Sequence, residues 1–195
     1  MAGEVEFWFD FASTYSYLCA MRIEEEAARR DVTVRWRPFL LGPIFAAQGW
    51  NDSPFNIYPA KGRYMWRDLE RRAQRLGIAF RKPEVFPQAS LLAARAALVA
   101  FDAGQGPAFC KAVFAAAFAE GQDISAPATI ERIGETLELR DVSKAAVSPD
   151  IKDRLRAHVE EAIANGLFGA PSFRVKGELF WGDDRLEDAL DRVRA

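Results

Sequence analysis

Strand-like patterning occurs at the two ends of this sequence, and nearly everything between reads as helix or loop; that order constrains the fold more than any other feature. Glu4–Phe9 alternates polar and apolar residues before ending in aromatics, the pattern of a strand. Asp10–Ser13 is a short turn. From Thr14 to Arg30, Tyr17, Leu18, Met21, Ile23 and Ala28 recur at helical spacing, which predicts one helix. Val32–Phe39 is a second strand, with Val32, Val34 and Trp36 on one face and Thr33, Arg35 and Arg37 on the other. Strand, helix and strand joined by a tight first turn form a βαβ unit, whose strands run parallel.

The middle of the chain has a different character. Gly42–Tyr58, rich in Gly, Pro, Asn and aromatics, is expected to be a loop with one helical turn. Pro59–Leu76 is a helix closed by Gly77, and Lys82–Gln88, with two prolines, is extended. Ser90–Ala103, Pro107–Ala119, Pro127–Leu137 and Ser148–Asn165 are further helices, the last with Ser148 as N-cap, Pro149 at its first position and Gly166 as stop. The chain then returns to β structure. Ser172–Val175 and Leu179–Trp181 flank Lys176-Gly177-Glu178 as a hairpin, and Asp184–Val193 closes the chain as a helix. The whole is a small α/β domain split by a helical insert.

Composition narrows the function classes. At 195 residues, half of them hydrophobic and 28% charged, the chain is globular, with one domain or two small ones. Its net charge of −2 gives no electrostatic case for nucleic acid or an anionic membrane. The least polar run, Leu91–Ala103, carries Arg95 and Asp102 and is too short to span a bilayer. The first residues, MAGEVEFWFDF, hold two acids and no basic stretch, unlike a secretory signal, so a cytoplasmic protein is expected; the Ala/Arg-rich style points to a bacterial source. Cys19 and Cys110 stand far apart and form no CxxC, which removes a local dithiol or zinc ribbon and leaves a lone disulfide open.

Three segments are candidates for chemistry. Ser13 lies where the first strand gives way to a helix, a place that favours an anion such as a thiolate; an ordinary N-cap is the alternative. In Gly166–Phe173, Pro171 stands directly before a strand, either as a simple strand start or as a cis turn exposing the preceding backbone. In Phe180–Arg185 a strand runs into a helix at Asp183 and Asp184, either as capping acids or as carboxylates aimed at a ligand ammonium, with free N–H groups beside them for a ligand carboxylate. His158, the single histidine, falls among charged neighbours on a helix and is expected at the surface. Without a second histidine there is no Ser–His pair of the usual hydrolase kind, and no metal-binding spacing occurs.

Taken together, FWFDFASTYSYL, GWNDSPFNIYPAKGRYMWRDLERRAQRLGIAF, FPQASLLAARAAL and GLFGAPSFRVKGELFWGDDRLEDAL resemble the 2-hydroxychromene-2-carboxylate isomerase family and the related kappa-class glutathione transferases, in the DsbA-like branch of the thioredoxin superfamily. The resemblance runs nearly end to end. It implies an α/β thioredoxin-like fold interrupted by an all-helical insert: residues 1–40 and 166–195 as the thioredoxin-like domain, residues 41–147 as the insert, and a linking helix at about 148–165. It places Ser13 at the first position of the redox relatives' CxxC, with Ser13-Thr14-Tyr15-Ser16 filling that tetrapeptide. A hydroxyl cannot form a disulfide, but it can donate a hydrogen bond that favours a bound thiolate. The resemblance further implies glutathione as cofactor and these contacts for it: Asn51 and Lys61, Lys61 on a carboxylate; the backbone of Ala170 before a cis Pro171; and Asp183 and Asp184 on the γ-glutamyl end. Thr14 departs from a family proline, and Ala89 from a frequent Asn before Ser90.

The activity so implied is cis–trans isomerisation of an aromatic-pathway intermediate by reversible thiolate addition. Phe11, Tyr15, Trp50, Tyr64, Trp66 and Phe168 suit a flat aromatic substrate, and the family implies a homodimer. The rival readings are a glutathione transferase or peroxidase, a disulfide oxidoreductase, against which the missing CxxC argues, and a non-catalytic glutathione-binding protein.

Overall fold

The computed structural model describes residues 3–194. In chain order the elements are β1 (Gly3–Phe9), α1 (Thr14–Ala20), α2 (Ile23–Ala28), β2 (Val32–Pro38), α3 (Leu41–Ala47), α4 (Pro54–Ile57), α5 (Pro59–Leu76), α6 (Leu91–Asp102), α7 (Gly106–Phe118), α8 (Pro127–Thr136), α9 (Val142–Ala145), α10 (Pro149–Ala164), β3 (Ser172–Val175), β4 (Glu178–Trp181) and α11 (Leu186–Arg194). The four strands make one mixed sheet in the order β2-β1-β3-β4. β1 and β2 are parallel, Gly3 facing Val32 and Phe9 facing Pro38, while β3 runs antiparallel to β1 with Phe173 opposite Phe7. This is a DsbA-like thioredoxin fold. Lys176 and Gly177 join β3 to β4, both with positive φ (51° and 84°), as a two-residue hairpin turn that matches the sheet's twist requires.

β1 sits at the centre with Val5, Phe7 and Phe9 on one face and Trp8 on the other, where Glu4 and Glu6 precede it. Val5, Phe7 and Phe9 enter the main core, where the Phe7 ring lies 5.1 Å from Trp36 and 5.6 Å from Phe173. Trp8 enters a second core with Phe39, Ile44, Val159, Ala162 and Leu167. Burying one such aromatic contributes roughly 1.5–3 kcal/mol. The main core continues without a break into the helical insert: Phe114 of α7 packs 5.8 Å from Phe9 and 4.8 Å from Phe11. α6 buries Ala93, Ala94, Ala96, Ala97 and Ala100, small side chains that let its neighbours approach closely. Among the described residues no helix is long and apolar enough to cross a membrane.

Several elements differ from the pattern-based expectation. The helix expected over residues 14–30 breaks at Met21-Arg22, leaving Met21 exposed. The break lets the Arg22 guanidinium reach Glu187 and the carbonyl of Asp183 (2.6 Å), tying the first helices to the last. Residues 42–58 hold two short helices, α3 and α4, where one turn was expected. α9 had no periodic signal, and the closing helix begins with a 3-10 turn over Asp183–Arg185. Arg37, expected on the polar face of β2, is buried: its guanidinium lies 4.5 Å above the Trp8 ring and pairs with Glu161. Cys19 and Cys110 are both free and buried, and burial pushes both thiols well above the ordinary range.

His158 is also not the surface residue its neighbours suggested. It is half-buried, its ring 6.3 Å from Trp8, and its Nδ1 donates to the carbonyl of Pro38 at 2.9 Å. Burial holds its pKa below 6.5, with Arg37 and Arg154 pushing the same way and the Pro38 bond and Glu161 opposing them. The unfolded chain therefore binds this proton first as pH falls below about 6.5. Between that value and the lower folded value, stability is lost as pH drops. Urea denaturation from pH 7.5 to 5.0 is expected to show a steeper loss for the wild type than for His158→Gln, the carboxylates being common to both proteins. Parallel curves would remove His158 as the titrating group.

Candidate active site

The end of β1 opens into a cavity of about 990 Å³, walled by α3, the following residues 48–55, α5, and the segments 168–171 and 181–184. Ser13 lies between these walls. It caps α1, its Oγ accepting from the Ser16 N–H at 3.2 Å, and its own hydroxyl donates across the cavity to the carbonyl of Ala170 at 2.9 Å. The N-cap role and the site-facing role are thus held by one hydroxyl. The Ala170–Pro171 bond is cis, and the Ala170 N–H has no partner among the described residues. Thr14 anchors the same turn, its hydroxyl lying 3.4 Å from the Met65 sulfur.

Asp10, read from the sequence only as part of a turn, supports this arrangement. Its buried carboxylate accepts from the N–H of Ala12 (2.9 Å), the N–H of Leu41 (2.7 Å) and the hydroxyl of Ser90 (2.6 Å). Burial pushes the carboxyl up, and these three donors pull it down.

α5 supplies Lys61, Tyr64, Asp68 and Arg72, which share one helix face through spacings of three and four. Tyr15 Oη donates to Asp68 at 3.0 Å, and burial, with the charge of Asp68, raises its pKa and keeps it a donor. Arg72 meets Asp183 through Nη2 at 2.7 Å and Nε at 3.0 Å. Asp183 is 3% exposed; burial raises its carboxyl and Arg72 pulls it back. Asp184 is exposed, on the turn after Gly182. That glycine has φ 111°, and a Cβ there would lie 2.6 Å from Asp184 Oδ1. Lys61 stands 4.9 Å over the Tyr58 ring and has no carboxylate partner among the described residues; Asn51 lines the wall with its side chain unbonded there.

All seven candidate residues, Ser13, Asn51, Lys61, Ala170, Pro171, Asp183 and Asp184, line this one cavity, although Asp183 is already engaged by Arg72. Of the aromatics singled out, Tyr15, Trp50, Tyr64 and Phe168 line it. Phe11 belongs to the core, and Trp66 packs against Phe80 and Phe86. Phe45, Phe55, Phe86 and Trp181 line it without having been singled out. The first three come from segments whose sequence lacks a period. Among the described residues no group of His, Cys, Asp and Glu could hold a metal.

The family model for a DSBA-like thioredoxin domain matches residues 4–194. The chain belongs to this family. Within it the chain stands in the 2-hydroxychromene-2-carboxylate isomerase family, related to the kappa-class glutathione transferases. It is 33% identical to the 2-hydroxychromene-2-carboxylate isomerase of Pseudomonas putida, covering 97% of this chain and 95% of that one. It is 27% identical to glutathione S-transferase kappa 2 of Caenorhabditis elegans, covering 96% and 90%. A solved 2-hydroxychromene-2-carboxylate isomerase matches this fold with a TM-score of 0.85 at 28% identity, over 98% of this chain and 96% of that one.

The Arg72–Asp183 pair gives this DSBA-like chain a test of which acid is structural. Arg72→Met strands a buried carboxylate and is expected to destabilise the fold by roughly 3 kcal/mol. Arg72→Met with Asp183→Asn is expected to recover most of that in urea denaturation. A double variant no more stable than the single one would show that the pair is not what holds this corner.

Proposed function

We propose that this protein is a glutathione-dependent cis–trans isomerase of the 2-hydroxychromene-2-carboxylate type, acting on an aromatic-pathway intermediate. The observation that carries the reading is the meeting of Ser13 Oγ and the Ala170 backbone at 2.9 Å, between a wall of charged groups and a wall of aromatic ones. The residues fit glutathione group by group. The unpaired Ala170 N–H can pair with the cysteinyl backbone in strand fashion. Asp184 suits the γ-glutamyl ammonium, with Asp183 held by Arg72 behind it. Lys61 suits a carboxylate, and Asn51 offers an amide on the same side.

Ser13, the Ala170 backbone, Asn51, Lys61 and Asp184 would hold glutathione, which would supply a thiolate for reversible addition at a conjugated carbon. The protein's share is to position and to stabilise an anion. Ser13 can turn its hydroxyl hydrogen from the Ala170 carbonyl toward the sulfur. A free thiol has a pKa of about 8.5 and is mostly protonated at neutral pH, and a hydrogen bond donated to the anion lowers that value. Tyr15 gives its one hydroxyl hydrogen to Asp68, which fixes its ring on the charged wall.

The kappa-class relatives favour one second reading, a transferase that consumes glutathione. Product analysis separates the two. With glutathione and either 2-hydroxychromene-2-carboxylate or an uncharged cis-enone, the isomerase yields the trans product with glutathione recovered unchanged. Stoichiometric loss of glutathione would establish the transferase, and binding without turnover of either compound a non-catalytic protein.

Ser13→Ala is expected to fold, at a cap cost of about 1 kcal/mol, and to keep most of its glutathione affinity. Its bound thiol should titrate higher, with the rate falling at neutral pH and partly recovering toward pH ~8.5. Thiolate absorbance against pH reads this directly. Superimposable titrations of wild type and variant would leave Ser13 as a helix cap only.

A further inference from the structure

The charge of α5 is opposite to that of the chain around it. Its 18 residues carry six cations and two acids, a net of +4 in a chain whose net charge is −2. Lys61 and Arg72 line the cavity, and the other four cations, Arg63, Arg67, Arg71 and Arg75, recur every fourth residue as one exposed stripe. Four residues exceed one turn, so the stripe drifts round the helix, and its last two members reach the cavity's edge. Arg71 is seven residues from Tyr64 and Arg75 seven from Asp68, so each shares a face with a residue of the cavity lining. The Arg71 guanidinium lies 5.6 Å from the centre of the Tyr64 ring, and Tyr64 is 63% exposed, which puts that cation at the mouth. Arg67 is paired with Glu70 at 2.7 Å, whereas Arg75 has no acidic partner among the described residues.

The cavity behind this edge has the other sign. Asp10, Asp52, Asp68, Asp183 and Asp184 line it, against Lys61 and Arg72 among the described residues, and Arg72 is engaged by Asp183 at 2.7 Å. The compounds of the glutathione-dependent reading enter as anions: glutathione has two carboxylates to one ammonium, and 2-hydroxychromene-2-carboxylate has one carboxylate. An excess of like charge slows an approaching anion. Cations gathered at the mouth reverse that effect, over a range of about 8 Å at physiological salt. We propose that Arg71 and Arg75 form an entry site for small organic anions, setting how fast an anion reaches the cavity and not how tightly it is held there. The inference rests on the reading above only for which anions enter.

Stopped-flow quenching of tryptophan fluorescence, with Trp50 and Trp181 in the cavity lining, separates entry from exit. The probes are trans-benzylidenepyruvate, an anion, and trans-benzylideneacetone, the uncharged ketone on the same skeleton. In about 20 mM salt, Arg71→Gln with Arg75→Gln is expected to lower the association rate constant of the anion at least about threefold. Its dissociation rate constant and both rates of the ketone are expected to stay unchanged, and about 0.5 M salt to erase the difference. Arg71→Lys with Arg75→Lys is expected to keep the wild-type rates, because at this range charge acts and guanidinium geometry does not. An unchanged association rate in the glutamine variant, an effect carried by dissociation, an equal loss for the ketone, or no binding of the anion overturns the inference. Turnover of 2-hydroxychromene-2-carboxylate with glutathione tests the underlying reading separately. Its absence removes the isomerase, while the two association rates still decide the entry site.

Discussion

Two oxygens of one buried carboxylate hold the cavity's walls in register. Asp10 ends β1, and its three hydrogen bonds go to the turn that carries Ser13, to the first residue of α3, and to the residue before α6. These segments lie far apart in sequence and would otherwise present unpaired polar groups to the interior. A buried donor left unsatisfied costs about 1–3 kcal/mol, so the three contacts act together as a clamp. The aromatic wall begins where that clamp meets Leu41. The charged wall is fixed separately, by Tyr15 on Asp68 and Arg72 on Asp183, and Ser13 lies where the two constructions join.

The parts of the fold legible in the sequence were those with a repeating pattern. β1, β2, the β3–β4 hairpin and the longer helices followed from alternation, from apolar spacing and from Gly or Pro at their ends. What escaped was set by partners distant along the chain. Nothing near Met21 announces a break in the helix; the reason lies at Glu187 and Asp183, which Arg22 must reach. Arg37 looks like a solvent-facing residue of an alternating strand until Trp8 and Glu161 cover it. His158 among charged neighbours gives no sign of the Trp8 ring beneath it.

The candidate site divides in the same way. Ser13, Pro171 and the Asp183-Asp184 pair stand at junctions between strand and helix, where local sequence is informative. Lys61 and Asn51 had no local signal and came only from family resemblance. Asp10 and Arg72 had none either, because each acts through groups that folding brings to it. Phe45 and Phe55 arise from short helices that lack the length for a period to be visible.

The sheet has a consequence for how this protein is made. β1 leaves the ribosome before both of its sheet neighbours, and β2 follows it within a few dozen residues. Its other edge must wait for β3, after the entire helical segment has been synthesised. Until then a strand of Val, Phe and Trp residues shows an open row of N–H and C=O groups, the kind of edge to which other chains add. Ser13 likewise lacks Ala170 through that interval. The nascent chain thus carries its greatest exposure to misassembly and its complete lack of a site together, and both end with the arrival of the same few residues.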